Sequence, residues 1–504
     1  MSIFSPIRGG VHPEGRKGDT AGQAILTDIP LPARLSLPLF QQAGASALPV
    51  VQVGERVAKG QCIGVSGAGL STRLHAPTSG SVVAIEDIVA PHPSGLPATS
   101  IIIEPDGEDR WQERPREDDP FARSPEELAE EVERAGIVGL GGAVFPAAIK
   151  LRQGRRYEIR TLIINGGECE PYLTTDDHLM RERAAQIVEG ARLIQHIVEC
   201  YEVIIGIEDN KPEAVAAMRE AAAPFGKVEV KTVPAMYPMG SAKQLIQALT
   251  GREVPAGGRS NDLGILVHNV ATAYAIQQAL RHGRPLLSRV LTLAGGCVSR
   301  PRNVEALFGT PIEHLLEQCG GLRDTPARLV MGGPMMGQAL PSTAVPVMKG
   351  TSGVLALTRR EVNDQAPSPC IRCGRCVDAC PMGLMPVEMA KFARADDFDG
   401  AAEYGLRDCI LCGTCSWVCP SHIPLVNFFE YARGEMKQRR AAAQKLEYTQ
   451  RLTEARNARL EREAEEKRAA KAARAAKKKK PARRATAKAD NEASTTTSTE
   501  DCDS

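Results

Sequence analysis

The sequence lacks the features of a membrane-spanning or secreted protein. No stretch of its 504 residues approaches about 18 uninterrupted apolar residues, the length that a bilayer-crossing helix needs. The N-terminus also lacks the basic segment, apolar run and cleavage site of a signal peptide. Apolar residues nevertheless make up 43% of the chain, enough for several buried cores. We therefore expect a cytoplasmic protein of about two to four domains, without a membrane span.

The charge is balanced overall, at +1, but not along the chain. Residues 437–488 carry nineteen Lys or Arg against six Asp or Glu, and residues 490–503 add five acids. The basic segment is Ala-rich and helix-prone to about Lys480, and Ser494–Thr499 are of low complexity. Such a tail binds anionic lipid or an acidic partner, or is a solvated helix that keeps the chain soluble. Nucleic acid is disfavoured, because aromatic residues scarcely interleave with the charges.

Eight cysteines in two identical blocks are the most informative feature. Each block reads C-x2-C-x2-C-x3-C-P, and the second follows the first by 39 residues. In this run, three closely spaced thiolates hold one 4Fe-4S cube and the fourth reaches across to the other. The predicted ligands of the first cluster are Cys370, Cys373, Cys376 and Cys419. The predicted ligands of the second cluster are Cys409, Cys412, Cys415 and Cys380.

Structural zinc and disulfides are the alternative uses of clustered cysteines. Zinc sites are built from two C-x2-C pairs, and disulfides need an oxidising compartment. Neither explains the third cysteine in each block or the repeat of the block. The other cysteines are scattered, and we expect each to be a small buried residue or a free thiol. These are Cys62, Cys169, Cys200, Cys297, Cys319 and Cys502.

Residues 1–108 predict a small β barrel-sandwich domain. Short β-branched runs alternate with Gly- and Pro-rich turns, notably at 53–57 and 75–82. These two phrases resemble the half-motifs of biotinyl and lipoyl carrier domains, but no lysine occupies a hairpin between them. The resemblance implies a barrel-sandwich fold without a swinging arm, in which His75 is structural.

The next region, residues 120–285, predicts an α/β domain with a parallel sheet. It follows a charged linker at 106–119, and its first helix opens with a capping box at 124–127. Strands then alternate with helices, which favours helices on both faces of a sheet. The predicted elements are helices at 124–135 and 181–199, strands at 159–164 and 202–207, and a helix capped by Asp209 or Asn210.

Three further regions complete a multidomain α/β protein. A strand at 290–294 and a helix between Thr310–Glu313 and Gly320–Gly321 predict a small α+β unit. The cysteine blocks predict a ferredoxin-type domain, in which two of the cluster-binding turns lie on short helices. The predicted ranges are 286–350 for the α+β unit, 360–432 for the cluster domain and 437–504 for the basic tail.

A glycine-rich loop, Gly139–Lys150, is the second candidate site. Its closely set glycines let backbone amides approach phosphate oxygens, and its lysine can add a cation. A glycine cluster is also typical of a plain tight turn. About twenty residues later an apolar strand ends in Asn165–Pro171, and ligands of open α/β sheets bind at such strand ends.

This loop resembles the G-R-G-G-A-G-F-P-x-x-x-K of the NADH-binding flavoprotein subunit of respiratory complex I. The stretch Asn165–Pro171 resembles its N-A-D-E-S-E-P, and Tyr237–Gly240 and His268–Val270 look like further pieces of the same pocket. The resemblance implies an FMN phosphate held by Gly139, Gly141, Gly142 and Lys150. It implies a flavin lined by Asn165, Tyr237, Gly240 and Asn269, with Glu168 and Glu170 contacting FMN or the nicotinamide of NADH.

The chain departs from the complex I pattern at three places, which concern the contacts with NADH. Gly167 replaces an acid, Ser241–Ala242 replaces a glutamate pair, and His268 replaces an asparagine. With the barrel, the cysteine blocks and the phrase Lys243–Glu253, residues 1 to about 435 resemble the RnfC family of Rnf ion-translocating oxidoreductases. This resemblance implies that the α+β unit is a soluble-ligand-binding β-grasp unit.

A two-electron donor such as NADH cannot feed a one-electron cluster directly, whereas a flavin accepts a hydride and releases electrons singly. The resemblance therefore implies an NADH-dependent oxidoreductase that passes electrons between NAD(H), FMN and two 4Fe-4S clusters. No side chain need act as an acid or a base. The implied partners are the other Rnf membrane subunits and, through them, ferredoxin. The implied location is peripheral, on the cytoplasmic face of the bacterial inner membrane.

Three alternatives stay open on the sequence. A cobalamin reductase of bacterial microcompartments shares the flavin loop and the double cysteine block. An iron–sulfur relay without flavin would use the cysteine blocks alone. The electron flow could also run in reverse, from ferredoxin to NAD+, because cluster potentials depend on surroundings that a sequence does not specify. The pumped ion is likewise not encoded in this chain.

Overall fold

A computed structural model describes residues 7–113 and 119–478. The chain divides into two compact units, residues 1–433 and 434–504. The first unit contains the barrel, the α/β domain, the β-grasp sheet and the cysteine blocks. Residues 114–118 of the charged linker, the Ser/Thr-rich stretch and Cys502 lie outside the described residues.

The N-terminal domain has two antiparallel sheets, in the strand orders β1-β7-β6-β3 and β2-β4-β5. Alternate side chains of β1 and β7 are fully buried, as in a closed sandwich, and His75 is buried with them. The predicted barrel-sandwich fold is thus confirmed. The elements are α1 (Gly18–Ala21), β1 (Leu35–Pro38), β2 (Leu48–Pro49), β3 (Arg56–Val57), β4 (Cys62–Val65), β5 (Leu74–His75), β6 (Gly80–Val89) and β7 (Pro97–Pro105).

The second domain is a parallel sheet of four strands in the order β10-β9-β8-β11. The direction of strand addition reverses between β8 and β11, so their carboxyl ends form the crevice where such sheets bind ligands. The elements are α2 (Pro125–Arg134), α3 (Ala147–Arg156), β8 (Thr161–Gly166), α4 (Thr175–Glu182), α5 (Ala184–Val198), β9 (Glu202–Glu208), α6 (Pro212–Ala222), β10 (Val228–Val233), α7 (Ala242–Thr250), β11 (Ile265–Asn269) and α8 (Val270–His282).

Two details of the predicted helices are wrong. The helix expected over 181–199 is two helices, because Arg183 leaves the helical conformation and places its guanidinium over the Tyr274 ring, 4.9 Å away. The predicted caps of α6 are also wrong, since Lys211 occupies the N-cap position. Asp209 instead accepts the Ala235 amide at 2.9 Å. The capping box at 124–127 forms as predicted.

The third region is a sheet of five strands in the order β13-β12-β16-β14-β15. Its strand β16 lies beyond residue 350, between β12 and β14, so the predicted boundary cuts through the sheet and belongs near 357. The elements are β12 (Ser288–Ala294), β13 (Arg302–Leu307), α9 (Ile312–Gln318), β14 (Arg328–Met331), β15 (Gln338–Ala339) and β16 (Gly353–Leu357).

The two cysteine blocks adopt the same local conformation. Arg372 and Leu411 have φ of 54° and 56°, and Gly374 and Gly413 have φ of 79° and 80°. Each glycine precedes a short helix, which confirms that cysteine-bearing turns lie on short helices. The elements are α10 (Arg375–Asp378), α11 (Pro386–Arg394), α12 (Phe398–Glu403), α13 (Thr414–Trp417) and α14 (Leu425–Lys478).

The predicted helical character of the basic tail agrees with α14, which runs to the last described residue. The side chains of residues 437–477 are exposed. Among the helices of the described ranges, none is both long enough and apolar enough to cross a membrane.

Candidate functional site

Asn165 and Asn269, predicted to line a flavin, lie side by side at the sheet edge. They are paired in register on β8 and β11. The Asn165 amide donates to the Gly240 carbonyl at 2.8 Å, which brings a third predicted residue to the same place. Asn269 accepts the Ala271 amide at the start of α8 and donates to Asp176 at 2.7 Å. The strand ends therefore assemble three of the predicted flavin residues.

The glycine-rich loop packs directly on this edge. Its base is closed by a hydrogen bond from the Gly139 amide to the Phe145 carbonyl, 2.8 Å long. A Cβ at Gly141 would lie 3.1 Å from the Asn269 Cβ, so the loop backbone rests against that side chain. Gly142 is exposed and has φ +107°, a conformation that favours glycine. The loop thus offers backbone beside the crevice, as a phosphate-binding loop requires.

Lys150 lies on α3 beneath the same edge. Its ammonium group donates to the Val267 carbonyl on β11, two residues before Asn269. Burial lowers the Lys150 pKa to about 8. The neighbouring His268 is buried, and burial together with the Lys150 charge lowers its pKa. In this arrangement Lys150 supports the strand that carries Asn269.

Glu168 is buried, and its carboxylate lies at the N-terminus of α4. It accepts hydrogen bonds from the Thr175 hydroxyl at 2.9 Å, the Asp176 amide at 3.0 Å and the Asp177 amide at 3.4 Å. A carboxylate at this position is stabilised by the unpaired amides and the helix dipole. Burial and the Glu168 charge raise the pKa of Asp176 to about 7. Sequence analysis did not single out Asp176.

Glu170 connects the flavin-like domain to the β-grasp sheet. Its carboxylate accepts the Met335 amide at 3.0 Å and the Met336 amide at 2.8 Å. A Cβ at Gly333 would overlap this carboxylate, so the loop between β14 and β15 approaches it as bare backbone. Burial raises the pKa of Glu170 to about 7. Both predicted acids therefore bind protein backbone.

Tyr237 joins the flavin-like crevice to the cysteine blocks. Its ring is buried, and its hydroxyl donates to the Cys412 carbonyl at 2.6 Å. Cys169 packs in the same small core and accepts the Gly240 amide at 3.2 Å. Gly413, which follows Cys412, lies against the Met335 carbonyl. Two sites that the sequence predicts separately are thus in direct contact.

The cysteines fall into two spatial groups that mix the blocks. Four of them line one cavity of about 20 Å³: Cys380, Cys409, Cys412 and Cys415. Burial raises the pKa of Cys409 to about 11, and the neighbouring thiols of Cys412 and Cys380 contribute to the rise. In the other group, burial raises the pKa of Cys376, as do its neighbours Cys370, Cys373 and Cys419.

The two groups differ in exposure. Cys380, Cys412 and Cys415 are buried, whereas Cys370 and Cys373 are exposed. Within residues 7–113 and 119–478, no three His, Cys, Asp or Glu side chains are arranged to hold a single metal ion. Of the scattered cysteines, three are buried and two are half-buried: Cys200, Cys297, Cys319, Cys62 and Cys169.

Sequence analysis also missed Lys17. Its ammonium donates to the carbonyls of Glu168 at 2.8 Å and Glu170 at 3.0 Å, and to that of Leu173. No local pattern marks this residue, because its partners lie more than 150 positions away. The preceding glycine pair, Gly9–Gly10, was the available signal, since paired glycines often mark a close backbone approach.

Family models match four consecutive parts of the chain. They are described as the RnfC barrel sandwich hybrid domain at 5–108 and the Nuo51 FMN-binding domain at 132–278. The other two are the SLBB domain at 290–339 and the 4Fe-4S dicluster domain at 369–423. The predicted fold class is confirmed, and the chain contains an FMN-binding domain and a 4Fe-4S dicluster domain.

Curated relatives match over most of the chain. A Rhodobacter capsulatus protein named as the RnfC component of an ion-translocating oxidoreductase complex is 48% identical over 407 residues, 81% of this chain and 78% of that protein. Proteins of the same name from Klebsiella pneumoniae and Salmonella gallinarum are 47% and 46% identical, each over 92% of this chain. These matches cover 62% and 70% of the two relatives.

The raised pKa of Glu170 predicts a pH-dependent stability. Its ordinary value is near 4.5 and its value in the fold is about 7, so the folded state holds this proton more tightly. The free energy of unfolding therefore falls as pH rises from 4.5 to 7. Glu170→Gln, which stays neutral, should gain about 1–2 kcal/mol over wild type between pH 5 and pH 8 in urea unfolding. The exposed Glu220→Gln should show no such gain; an equal gain in both would contradict the assignment.

Proposed function

The chain belongs to the RnfC family of ion-translocating oxidoreductase complexes, and we propose that it carries electrons from NADH through FMN to two 4Fe-4S clusters. The resemblance noted in the sequence is thereby confirmed. The protein is an electron-transfer component of an ion-translocating oxidoreductase, with chemistry linked to NADH.

The single observation that carries the proposed route is the Tyr237 contact. The hydroxyl of Tyr237 donates to the backbone of Cys412, so a residue of the flavin crevice touches a cluster-binding loop. Bound FMN supplies the conversion of a two-electron donor into one-electron steps. The protein holds the two sites against one another and excludes water between them, since Tyr237 and Cys412 share one buried core.

For the FMN we assign ten residues. The phosphate would lie on the backbone of Gly139, Gly141 and Gly142, with Lys150 below. The flavin would lie along the side chains and backbone of Asn165, Tyr237, Gly240 and Asn269. Gly240 suits a backbone approach, because a Cβ there would lie 2.7 Å from the Gly167 carbonyl. Glu168 and Glu170 act chiefly by shaping the loop between them, since their carboxylates bind backbone amides.

For the clusters we propose the crossed ligation. The second cluster would be held by the four thiols that line one cavity, three from the second block and Cys380 from the first. The first cluster would be held by Cys370, Cys373, Cys376 and Cys419. Two of these thiols are exposed, so this cluster is the one from which a partner can take electrons.

We also propose the surroundings of the protein. Other subunits of the complex would accept its electrons, with ferredoxin reached through them. The protein would bind peripherally to the cytoplasmic face of the inner membrane. The exposed basic helix of residues 437–477 supports attraction to an anionic surface, which salt would weaken.

The composition of anaerobically purified protein tests this function. We expect about eight irons and eight sulfides, as two four-iron clusters contain, together with released FMN. NADH should then bleach both the flavin and the cluster absorption. Four irons would refute the two-cluster proposal. Full iron without flavin would instead favour a relay that holds clusters alone.

The crossed ligation predicts which cluster Cys380→Ala disturbs. We expect the EPR signal of the buried cluster to be lost while the signal of the exposed cluster persists. Cys200→Ala, a buried cysteine distant in sequence from both blocks, is the matched control and should retain both signals. Loss of the exposed cluster alone in Cys380→Ala would refute the crossed assignment.

A further inference from the structure

Residues Gly9–Lys17, here called the N-terminal strap, contact both redox regions. The strap precedes the barrel in sequence but packs away from it. Its first residues lie against the cysteine blocks, its middle against Tyr237, and its last residue against the loop that follows β8. Each attachment consists of hydrogen bonds to backbone, so the attachments do not depend on the side chains of the residues that accept the strap.

The first attachment is a close approach of two backbones. The Gly10 amide donates to the Ala379 carbonyl at 3.0 Å. A Cβ at Gly9 would lie 2.7 Å from the carbonyl carbon of Cys380, nearer than atoms of two side-chain-bearing residues come. Both glycines have positive φ, of 62° and 83°. Glycine is therefore required here to bring the strap onto the backbone of a predicted cluster ligand.

The middle attachment is a short antiparallel pairing with Tyr237. The Val11 amide donates to the Tyr237 carbonyl at 2.9 Å, and the Tyr237 amide donates to the Val11 carbonyl at 3.0 Å. Both residues are buried. The backbone of Tyr237 is thus held by the strap while its hydroxyl is held by Cys412.

The last attachment is the ammonium group of Lys17. It donates to three carbonyls of one turn, those of Glu168, Glu170 and Leu173. The Tyr172 amide returns a hydrogen bond to the Gly15 carbonyl at 2.7 Å. Three converging carbonyls match the three donors of an ammonium group, which a planar guanidinium cannot supply. Burial lowers the pKa of Lys17, and the Glu168 charge opposes that shift.

We propose that Lys17 is a positioning residue, which fixes the turn 168–173 against the crevice and, through the strap, against the loops of the buried cluster. This proposal rests on the proposed function, since the turn matters for electron transfer only if FMN binds beside it. The turn carries Glu168 and Glu170, whose carboxylates hold α4 and the loop between β14 and β15. Without Lys17, three buried carbonyls lose their donor and the turn loosens.

The test compares Lys17→Met with Lys17→Gln. Methionine keeps the length of the side chain and removes all three donors, whereas glutamine keeps two. Native-state hydrogen exchange is measured at the amides of Tyr172, Met335 and Met336. We expect about tenfold faster exchange in Lys17→Met and a smaller increase in Lys17→Gln. The exposed Lys227→Met is the matched control and should exchange like wild type.

A second readout follows the redox sites. After NADH addition, Lys17→Met should reduce its clusters more slowly, and its flavin potential should shift, while dithionite still reduces both clusters fully. Wild-type exchange rates in folded Lys17→Met would overturn the proposal. If Lys17→Met does not fold, wild-type exchange in Lys17→Gln would overturn it equally. Wild-type protein without flavin would refute the proposed function alone, because the exchange measurement needs no cofactor.

Discussion

The hydrogen bond from the Tyr237 hydroxyl to the Cys412 carbonyl is the constraint around which the redox regions are arranged. Both groups are buried, so neither can exchange this bond for water. Segments from four regions converge on it: the strap, the loop before α7, the loop after β14 and the second cysteine block. Gly413 allows the last two to meet, because a Cβ there would lie 2.8 Å from the Met335 carbonyl.

The acids of the flavin-like motif illustrate how a recognised pattern acts through backbone. Glu168 and Glu170 resemble ligand contacts in sequence, yet their carboxylates accept amides of protein segments. The carbonyls of the same two residues accept the Lys17 ammonium. Each residue is therefore held at both ends. A motif of this kind can persist in a family because it shapes a loop, whether or not its side chains touch a ligand.

What the sequence predicted well is local. Cysteine spacing, the glycine positions and the Ser124–Glu127 capping box depend on neighbours within a few residues, and the fold class follows from periodicity. What it missed depends on distant partners. Strand β16 joins its sheet from beyond the expected boundary, Arg183 breaks a helix to meet Tyr274, and Lys17 finds its acceptors about 150 residues away. None of these partners can be read from a window of sequence.

The two cysteine blocks share their backbone conformation residue by residue, including the positive φ of Gly374 and Gly413. Ligand geometry therefore cannot distinguish two cubes bound there. Burial can, since Cys412 and Cys415 are enclosed while Cys370 and Cys373 reach solvent. Solvent exposure and nearby hydrogen bonds set cluster potentials over a wide range. A duplicated peptide thus yields an uneven pair, and the direction of the internal voltage drop is set by the packing around the two copies.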